Sequence, residues 1–291
     1  MSADRPARLA VVGNPVAHSR SPQIHARFAA ATGLAVDYTR IESPLDGFVA
    51  TLRAFAESGA RGCNVTVPFK DEAFAACARL SERARRAEAV NTLVFEADGW
   101  FGDNTDGAGL VRDIELNAGV PLAGKRVLLL GAGGAAAGAL DPLLAARPAA
   151  LVVANRTASK AQAMIERFAD GAARLDVPLS AAPLDAPGAG FDVLVNATAA
   201  SLHADVPLLA AGTLKPGALA LDMMYGAATV PFLRWARAQG AVARDGLGML
   251  VEQASEAFFV WMGQRPATFQ VLAELRREVD AQIDAAAKAC A

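Results

Sequence analysis

Leu128-Leu-Leu-Gly131-Ala132-Gly133-Gly134-Ala135-Ala136 is the stretch that decides the fold. Arg126 to Leu130 has the unbroken apolar character of a strand buried on both faces, and Ala136 to Ala146 has the alanine and leucine content of a helix. Between them stands a G-x-G-x-x-A turn. Its first glycine permits the tight bend, its second lets a pyrophosphate approach the backbone, and the small Ala136 lets the helix sit close to the sheet. The free N–H groups at the helix start then face the phosphates. Leu151 to Asn155 reads as the next strand and Ser159 to Ala169 as the next helix, completing a βαβ dinucleotide-binding half of Rossmann type.

The residues after that second strand select the cofactor. An NAD site places an Asp or Glu about 20 residues beyond the glycine loop to accept from the ribose 2′-hydroxyl, whereas NADP needs cations there. This chain has Asn155-Arg156-Thr157-Ala158-Ser159-Lys160. Arg156 can stack on adenine and fork onto a 2′-phosphate, Thr157 can donate its hydroxyl, and Lys160 lies one helical turn on. A purely solvated role is the weaker reading, because cations at a helix start oppose its dipole. The implied cofactor is NADP, held by Gly131, Ala132, Gly133, Gly134, Ala135, Asn155, Arg156, Thr157 and Lys160.

Upstream of this unit, short β-rich runs alternate with amphipathic ones. Leu9 to Val12, Tyr38 to Ile41 and Gly62 to Val67 read as strands; Pro22 to Gly33, Leu45 to Ser58 and Asp71 to Cys77 read as helices. That rhythm implies a mainly parallel sheet covered on both faces. Val90 to Phe95, a turn at Asp98-Gly99 and Trp100-Phe101 read as a hairpin. Downstream, Phe191 to Asn196 and Leu219 to Asp222 are further strands, with turns at Pro207 and Pro216-Gly217, and Ser180 to Gly190 reads as a surface connection. Met249 to Ala289 is helical and is expected to pack back on the first unit. The expected class is therefore α/β with two domains: a substrate domain over 1–107, completed by 245–291, and a Rossmann-type NADP domain over 108–244.

With 291 residues, 53% hydrophobic, the chain can bury two cores, and a net charge of −2 excludes a broad positive field for nucleic acid or anionic membrane. Cys63, Cys77 and Cys290 fit neither a disulfide framework nor a metal pair, which favours a reducing cytoplasm. No signal-peptide region or membrane-length apolar run is expected. His18, His25 and His203 show no metal spacing, so no metal is assigned; Cys63, Trp235, Trp261 and Phe258-Phe259 read as core, and Glu82 as a solvated helix residue.

Chemistry enters with Asn64-Val-Thr66-Val-Pro-Phe-Lys70 and Gly102-Asp-Asn-Thr-Asp106. A lone ammonium and a lone carboxylate beside a cofactor loop are the parts of a hydride-transfer site. Together with Gly13-Asn-Pro-Val-Ala-His-Ser19-Arg-Ser21-Pro22, Ala89-Val-Asn91-Thr, Asn155-Arg-Thr157 and Asp245-Gly-Leu-Gly-Met-Leu-Val-Glu-Gln253-Ala, these segments resemble, in order, the motifs of the shikimate dehydrogenase family. Several lie in loops, where packing alone would not dictate them. The resemblance implies NADP-linked interconversion of 3-dehydroshikimate and shikimate in aromatic amino acid biosynthesis. It implies that Ser19, Ser21, Asn64, Thr66, Asn91, Asp106, Tyr225 and Gln253 hold the substrate, that Lys70 handles the proton with Asp106 beside it, and that Met223 and Gly246 line the nicotinamide. Ser19 and Ser21 also allow a plain helix-cap reading.

The family usually reads N-A-T-S-x-G where this chain has Asn196-Ala-Thr-Ala-Ala-Ser201, an Arg near Ala137, and a Thr at Val230. These departures fall in the cofactor half. Two rivals follow: a quinate/shikimate dehydrogenase of the same superfamily, and a catalytically silent NADP-binding paralogue. Retained Lys70 and Asp106 favour turnover, and the basic Arg156 and Lys160 favour NADP. A small-molecule enzyme acting as monomer or homodimer, without nucleic acid or membrane partners, is the expectation.

Overall fold

The computed structural model describes residues 5–198, 205–206 and 209–289, the last six as backbone only. Ala199 to Ser201, His203, Pro207 and Cys290 lie outside the described residues. The first unit runs β1 (Ala7–Gly13), α1 (Ser21–Thr32), β2 (Val36–Glu42), α2 (Phe48–Glu57), β3 (Gly62–Val65), α3 (Lys70–Ala76), β4 (Arg79–Leu80), α4 (Glu82–Ala87), β5 (Thr92–Val94) and β6 (Phe101–Asp103). Its sheet has the order β2-β1-β3-β5-β6-β4. The β1, β2 and β3 pairings are parallel, and β5 and β6 form the expected antiparallel hairpin.

Helix α5 (Asp106–Arg112), which widens into a π turn at Asp113–Asn117, leads into the second unit. There follow β7 (Arg126–Leu130), α6 (Gly134–Ala145), β8 (Ala150–Asn155), α7 (Ala158–Leu175), β9 (Leu179–Pro183), β10 (Phe191–Asn196), β11 (Leu214–Asp222), α8 (Val230–Ala238) and β12 (Val242–Arg244). Its sheet, β9-β8-β7-β10-β11-β12, is parallel throughout, the doubly wound order that places a ligand crevice where the direction of winding reverses, between β7 and β10. The central strands are fully covered: Val127 to Leu130 and Val193 to Val195 have no exposed surface.

Three expectations needed correction. Ser180 to Gly190 is not all connection: its start belongs to β9, paired with β8, and Pro183 ends this edge strand because it cannot donate to a further ladder bond. The closing segment is two helices, α9 (Leu247–Met262) and α10 (Phe269–Ala289), since Gly263 adopts the left-handed cap conformation at φ 71°. The Pro216-Gly217 turn lies inside β11, where the register to β10 jumps from Phe191↔Leu214 to Val193↔Leu219.

Helix α9 returns to the first unit. Its Leu247, Val251, Ala254 and Phe258 share a core with Ile24 and Phe28 of α1 and with Val271, Leu275 and Val279 of α10. The larger core under the second sheet takes in Ala87, Ala89 and Leu110 along with Leu140, Leu143 and Phe168. Residues from before the 107/108 division thus pack with those after it.

Candidate active site

The C-terminal ends of β1 and β3, the start of β5 and the end of β6 meet at one end of the first sheet, and Ser19, Ser21, Asn64, Thr66, Asn91 and Asp106 stand at or just beyond these ends, whereas Tyr225 follows β11 of the second sheet and Gln253 lies on α9. Strand β3 stops at Val65, two residues short of the expected Val67, and Lys70 is the first residue of α3. Asp71 and Glu72 in the same turn offset a cation placed against the helix dipole. Asp106 likewise opens α5, where a carboxylate is favoured.

These two side chains meet. Lys70 Nζ donates to Asp106 Oδ2 at 2.5 Å, with the side chains 26% and 13% exposed, so the pair is neither buried nor freely solvated. Asn91 Nδ2 donates to Asp106 Oδ1 at 2.7 Å. Asn91 Oδ1 in turn accepts from Thr105 N–H at 2.8 Å and from Thr92 Oγ1 at 2.9 Å. Gln253 of α9 brings Oε1 to 3.4 Å from Thr105 Oγ1 and 3.5 Å from Asn91 Nδ2, while its Nε2 donates to Leu250 O. Behind this row Asp103 is gripped by Arg83, through Nε at 2.7 Å and Nη2 at 2.5 Å, and accepts from Ser81 Oγ and Asn104 N–H. Burial raises the Asp103 carboxyl, but the Arg83 guanidinium and these hydrogen bonds outweigh it and hold the group below its ordinary value.

Asn64 is spent within the protein. Its Oδ1 accepts from Tyr38 OH at 2.7 Å and its Nδ2 donates to Asn91 O and Thr92 Oγ1, both at 3.1 Å. At 6% exposure it retains one carbonyl lone pair for any ligand. Tyr38 stacks on the fully buried His25, ring centroids 4.1 Å apart.

Ser19 Oγ and Ser21 Oγ lie 3.2 Å apart, and Ser19 Oγ accepts from Ser21 N–H. Neither caps α1: Arg20 holds the N-cap position and no side-chain cap bond forms. Arg40 clamps the loop by donating Nε and Nη2 to Ser19 O, and Arg20 reaches away to Glu278 and Gln282 of α10. Thr66 packs its methyl against Gly13, where a Cβ would come within 2.4 Å.

In the second unit, Gly131 has φ 107°, and the positions a Cβ would take at Gly133 and Gly134 are open. The α6 amino terminus therefore offers bare backbone. Ala132 and Ala135 complete the turn. Arg156, Thr157 and Lys160 are exposed at the start of α7. Asn155 Nδ2 donates to Thr157 O, and Thr157, at the N-cap, does not spend its hydroxyl on the helix. These residues fit a dinucleotide with a 2′-phosphate. Met223 and Gly246 are brought together: a Cβ at Gly246 would stand 2.3 Å from Met223 O. Burial, with Asp245 adding and Arg20 opposing, raises the Tyr225 phenol, so it stays a donor. Ala137 is 2% exposed and packs in the core beneath the second sheet.

Sequence reading passed over Asn104, Thr105, Thr92, Arg83 and Tyr38, although Asn104, Thr105 and Thr92 stand inside quoted motifs. Their roles are hydrogen bonds between segments distant in the chain, which leave no periodic signal. Among the described residues no cluster of metal-ligating side chains occurs, and no helix is long and apolar enough to cross a membrane.

A family model described as the shikimate dehydrogenase substrate binding domain matches residues 11–93, and one described as shikimate / quinate 5-dehydrogenase matches residues 115–207. The shikimate dehydrogenase (NADP(+)) of Methylibium petroleiphilum is 60% identical over 279 residues, covering 94% of this chain and 95% of that protein. That of Acidovorax sp. is 56% identical over 271 residues, covering 93% and 96%. Among solved structures, shikimate 5-dehydrogenase from Thermus thermophilus in complex with NADP(H) and shikimate superposes with a TM-score of 0.81 at 34% identity, covering 93% of this chain and 99% of that one. An Ael1 enzyme from Pseudomonas putida superposes at 0.85 with 48% identity, covering 92% and 98%.

Proposed function

The chain belongs to the shikimate dehydrogenase family, and from that membership we propose how its own residues carry out the NADP-dependent interconversion of 3-dehydroshikimate and shikimate. The reaction reduces a ring ketone to a CH–OH group and runs in both directions. NADPH, when bound, supplies the hydride. Negative charge then grows on the carbonyl oxygen, and Lys70, as the ammonium, gives its proton to that oxygen. In the oxidising direction the neutral amine takes the hydroxyl proton.

Asp106 stabilises the ammonium form and so holds Lys70 instead of activating it as a base. With Oδ2 on Lys70 and Oδ1 on Asn91, the carboxylate keeps lone pairs for a substrate hydroxyl. Ser19, Ser21 and Tyr225 donate to the substrate carboxylate; Thr66, Asn91 and Gln253 meet the ring hydroxyls, and Asn64 supports them chiefly through Asn91 and Thr92. The glycine turn takes the pyrophosphate, Arg156, Thr157 and Lys160 take the 2′-phosphate, and Met223 and Gly246 line the nicotinamide. The same reading places the protein in the cytoplasm as a monomer or homodimer, serving aromatic amino acid biosynthesis, with 1–107 and 245–291 as the substrate domain and 108–244 as the NADP domain.

The Lys70–Asp106 contact anchored by Asn91 carries this reading. Nicotinamide absorbance with shikimate or quinate, each with NADP+ or NAD+, tests it: fast reduction is expected with shikimate and NADP+ alone. Comparable quinate or NAD+ rates would move the chain to the broader specificity, and NADPH binding without turnover would make it a silent paralogue. Lys70→Met is expected to lower kcat by about 10²- to 10⁴-fold, the usual worth of a general acid. Unchanged turnover in that variant would remove Lys70 from the chemistry.

A further inference from the structure

Helix α5 opens Asp106-Gly107-Ala108-Gly109, and a glycine inside a helix costs about 0.5–1 kcal/mol relative to alanine. Gly107 therefore needs a reason, and the neighbouring helix supplies one. A Cβ at Gly107 would stand 2.2 Å from Gly138 O and 2.8 Å from Pro142 Cγ, both on α6. In an ordinary helix the Gly138 carbonyl would accept from the N–H of residue 142, but Pro142 has none. That oxygen is left facing the α-hydrogen of Gly107, a weak C–H···O contact that only glycine permits at this spacing.

Gly138 makes a second close approach. A Cβ there would lie 3.1 Å from Asn104 Nδ2 and 3.2 Å from Asn104 Oδ1. Asn104 is 1% exposed; its Nδ2 donates to Ala89 O at 3.0 Å and its Oδ1 accepts from Asp106 N–H at 3.2 Å. The amide is thus wedged between the backbone of α6 and the backbone of Asp106. Helix α6 begins at Gly134, directly after the glycine turn, so Gly138 sits one turn into the helix whose end faces the pyrophosphate.

We propose that Asn104 is a positioning residue and that Asn104, Gly107 and Gly138 form a joint through which the cofactor-binding helix sets the place of Asp106. The joint rests on the role given to Asp106 above. A displacement of α6 moves Asn104, and Asn104 moves the Asp106 N–H it accepts from and, with that backbone, the carboxylate that holds Lys70. Asp106 is thereby coupled to the cofactor helix, although the two flank different sheets.

The test is a double-mutant cycle of Gly138→Ala and Asn104→Ala, read as kcat, KM for each substrate and NADPH affinity by fluorescence, with Asp106→Asn as the control. The added methyl pushes Asn104 aside, so each single variant is expected to lose about tenfold or more in kcat, with NADPH affinity changed by no more than about twofold. The double variant should match Asn104→Ala, since the methyl then has no amide to displace. Multiplying effects, an unchanged kcat in Gly138→Ala, or loss of NADPH binding in step with kcat would overturn the joint. Should Gly138→Ala fail to fold, Asn104→Ala decides alone: wild-type kcat refutes the proposal, and lowered kcat at unchanged NADPH affinity upholds it. Wild-type kcat in Asp106→Asn would instead refute the reading of Asp106 itself.

Discussion

Lys70, Arg156 and His25 show how differently single residues disclose their roles. Lys70 and Asp106 were legible because each closes a loop motif, yet their contact depends on two helix starts being brought face to face. Arg156 was legible from its position after a strand end, where an acid would have signalled NAD. Arg156→Gln is expected to lower kcat/KM for NADP+ by about ten- to a hundredfold, the worth of hydrogen bonds to a charged group, and to lower it far less for NAD+, which loses only the adenine stack. Equal losses with both cofactors would place Arg156 elsewhere. His25 carries no sequence signal beyond its lack of metal spacing. It faces the rings of Tyr38, Phe28, Phe258 and Trp261, and burial lowers it from 6.5 to about 3, with the Asn64 side chain pulling slightly back. The folded protein keeps this imidazole neutral while the unfolded chain protonates it near 6.5. Its contribution is therefore complete above pH 6.5 and is lost as pH falls toward 3, at about 1.4 kcal/mol per pH unit. His25→Phe should flatten the rise of unfolding free energy between pH 4.5 and 6; urea melts showing the wild-type slope in the variant would contradict this.

At the scale of elements, the second sheet followed directly from the apolar runs and the glycine turn, because a parallel sheet buried on both faces is written as uninterrupted hydrophobic strands. Some elements escaped: β4 and β12 are too brief to show a period, β9 is hidden by its alanine and proline content, and all three exist because neighbouring strands offer ladder partners. Helix α5 is the element on which the site depends, and its glycines carry no helical preference. Gly109 answers α9 as Gly107 answers α6: a Cβ at Gly109 would lie 2.5 Å from Gln253 N and 2.6 Å from Gln253 Cβ. Backbone cannot yield there as a flexible side chain could. Gly109→Ala is therefore expected to destabilise by about 1–3 kcal/mol through overpacking, in spite of about 1 kcal/mol of gained helix propensity, and to weaken shikimate binding through Gln253. A thermal melt at or above the wild-type midpoint would show that the crossing has room.

For the whole molecule, the chain crosses between its sheets at α5 and again after β12, and the two crossings are tied to each other. Arg244 Nη2 donates to the buried Asp113 Oδ1 at 2.6 Å, and Arg112 Nε donates to the buried Glu252 at 2.9 Å. Arg276 of α10 grips Asp245 at the exit of β12. On the other flank α4 meets α6 through Arg86 and Asp141 at 2.8 Å. Closure over bound ligands then has to pivot about the paired crossings. Small-angle scattering is expected to show compaction when shikimate and NADP+ are both present, and an unchanged radius of gyration would rule out closure.

The sequence by itself determined the class of fold and the cofactor half, because apolar periodicity and glycine spacing are local properties of the chain, and it singled out Lys70 and Asp106 as candidates through the motifs that resemble the family's. Only the tertiary structure decided that Asn64 is committed to Tyr38, Asn91 and Thr92, that His25 is held neutral, and that Asp106 is wedged by Asn104 against the cofactor helix. These are contacts between segments far apart in the chain, and their consequences come from burial and close approach, which no single stretch of residues can encode.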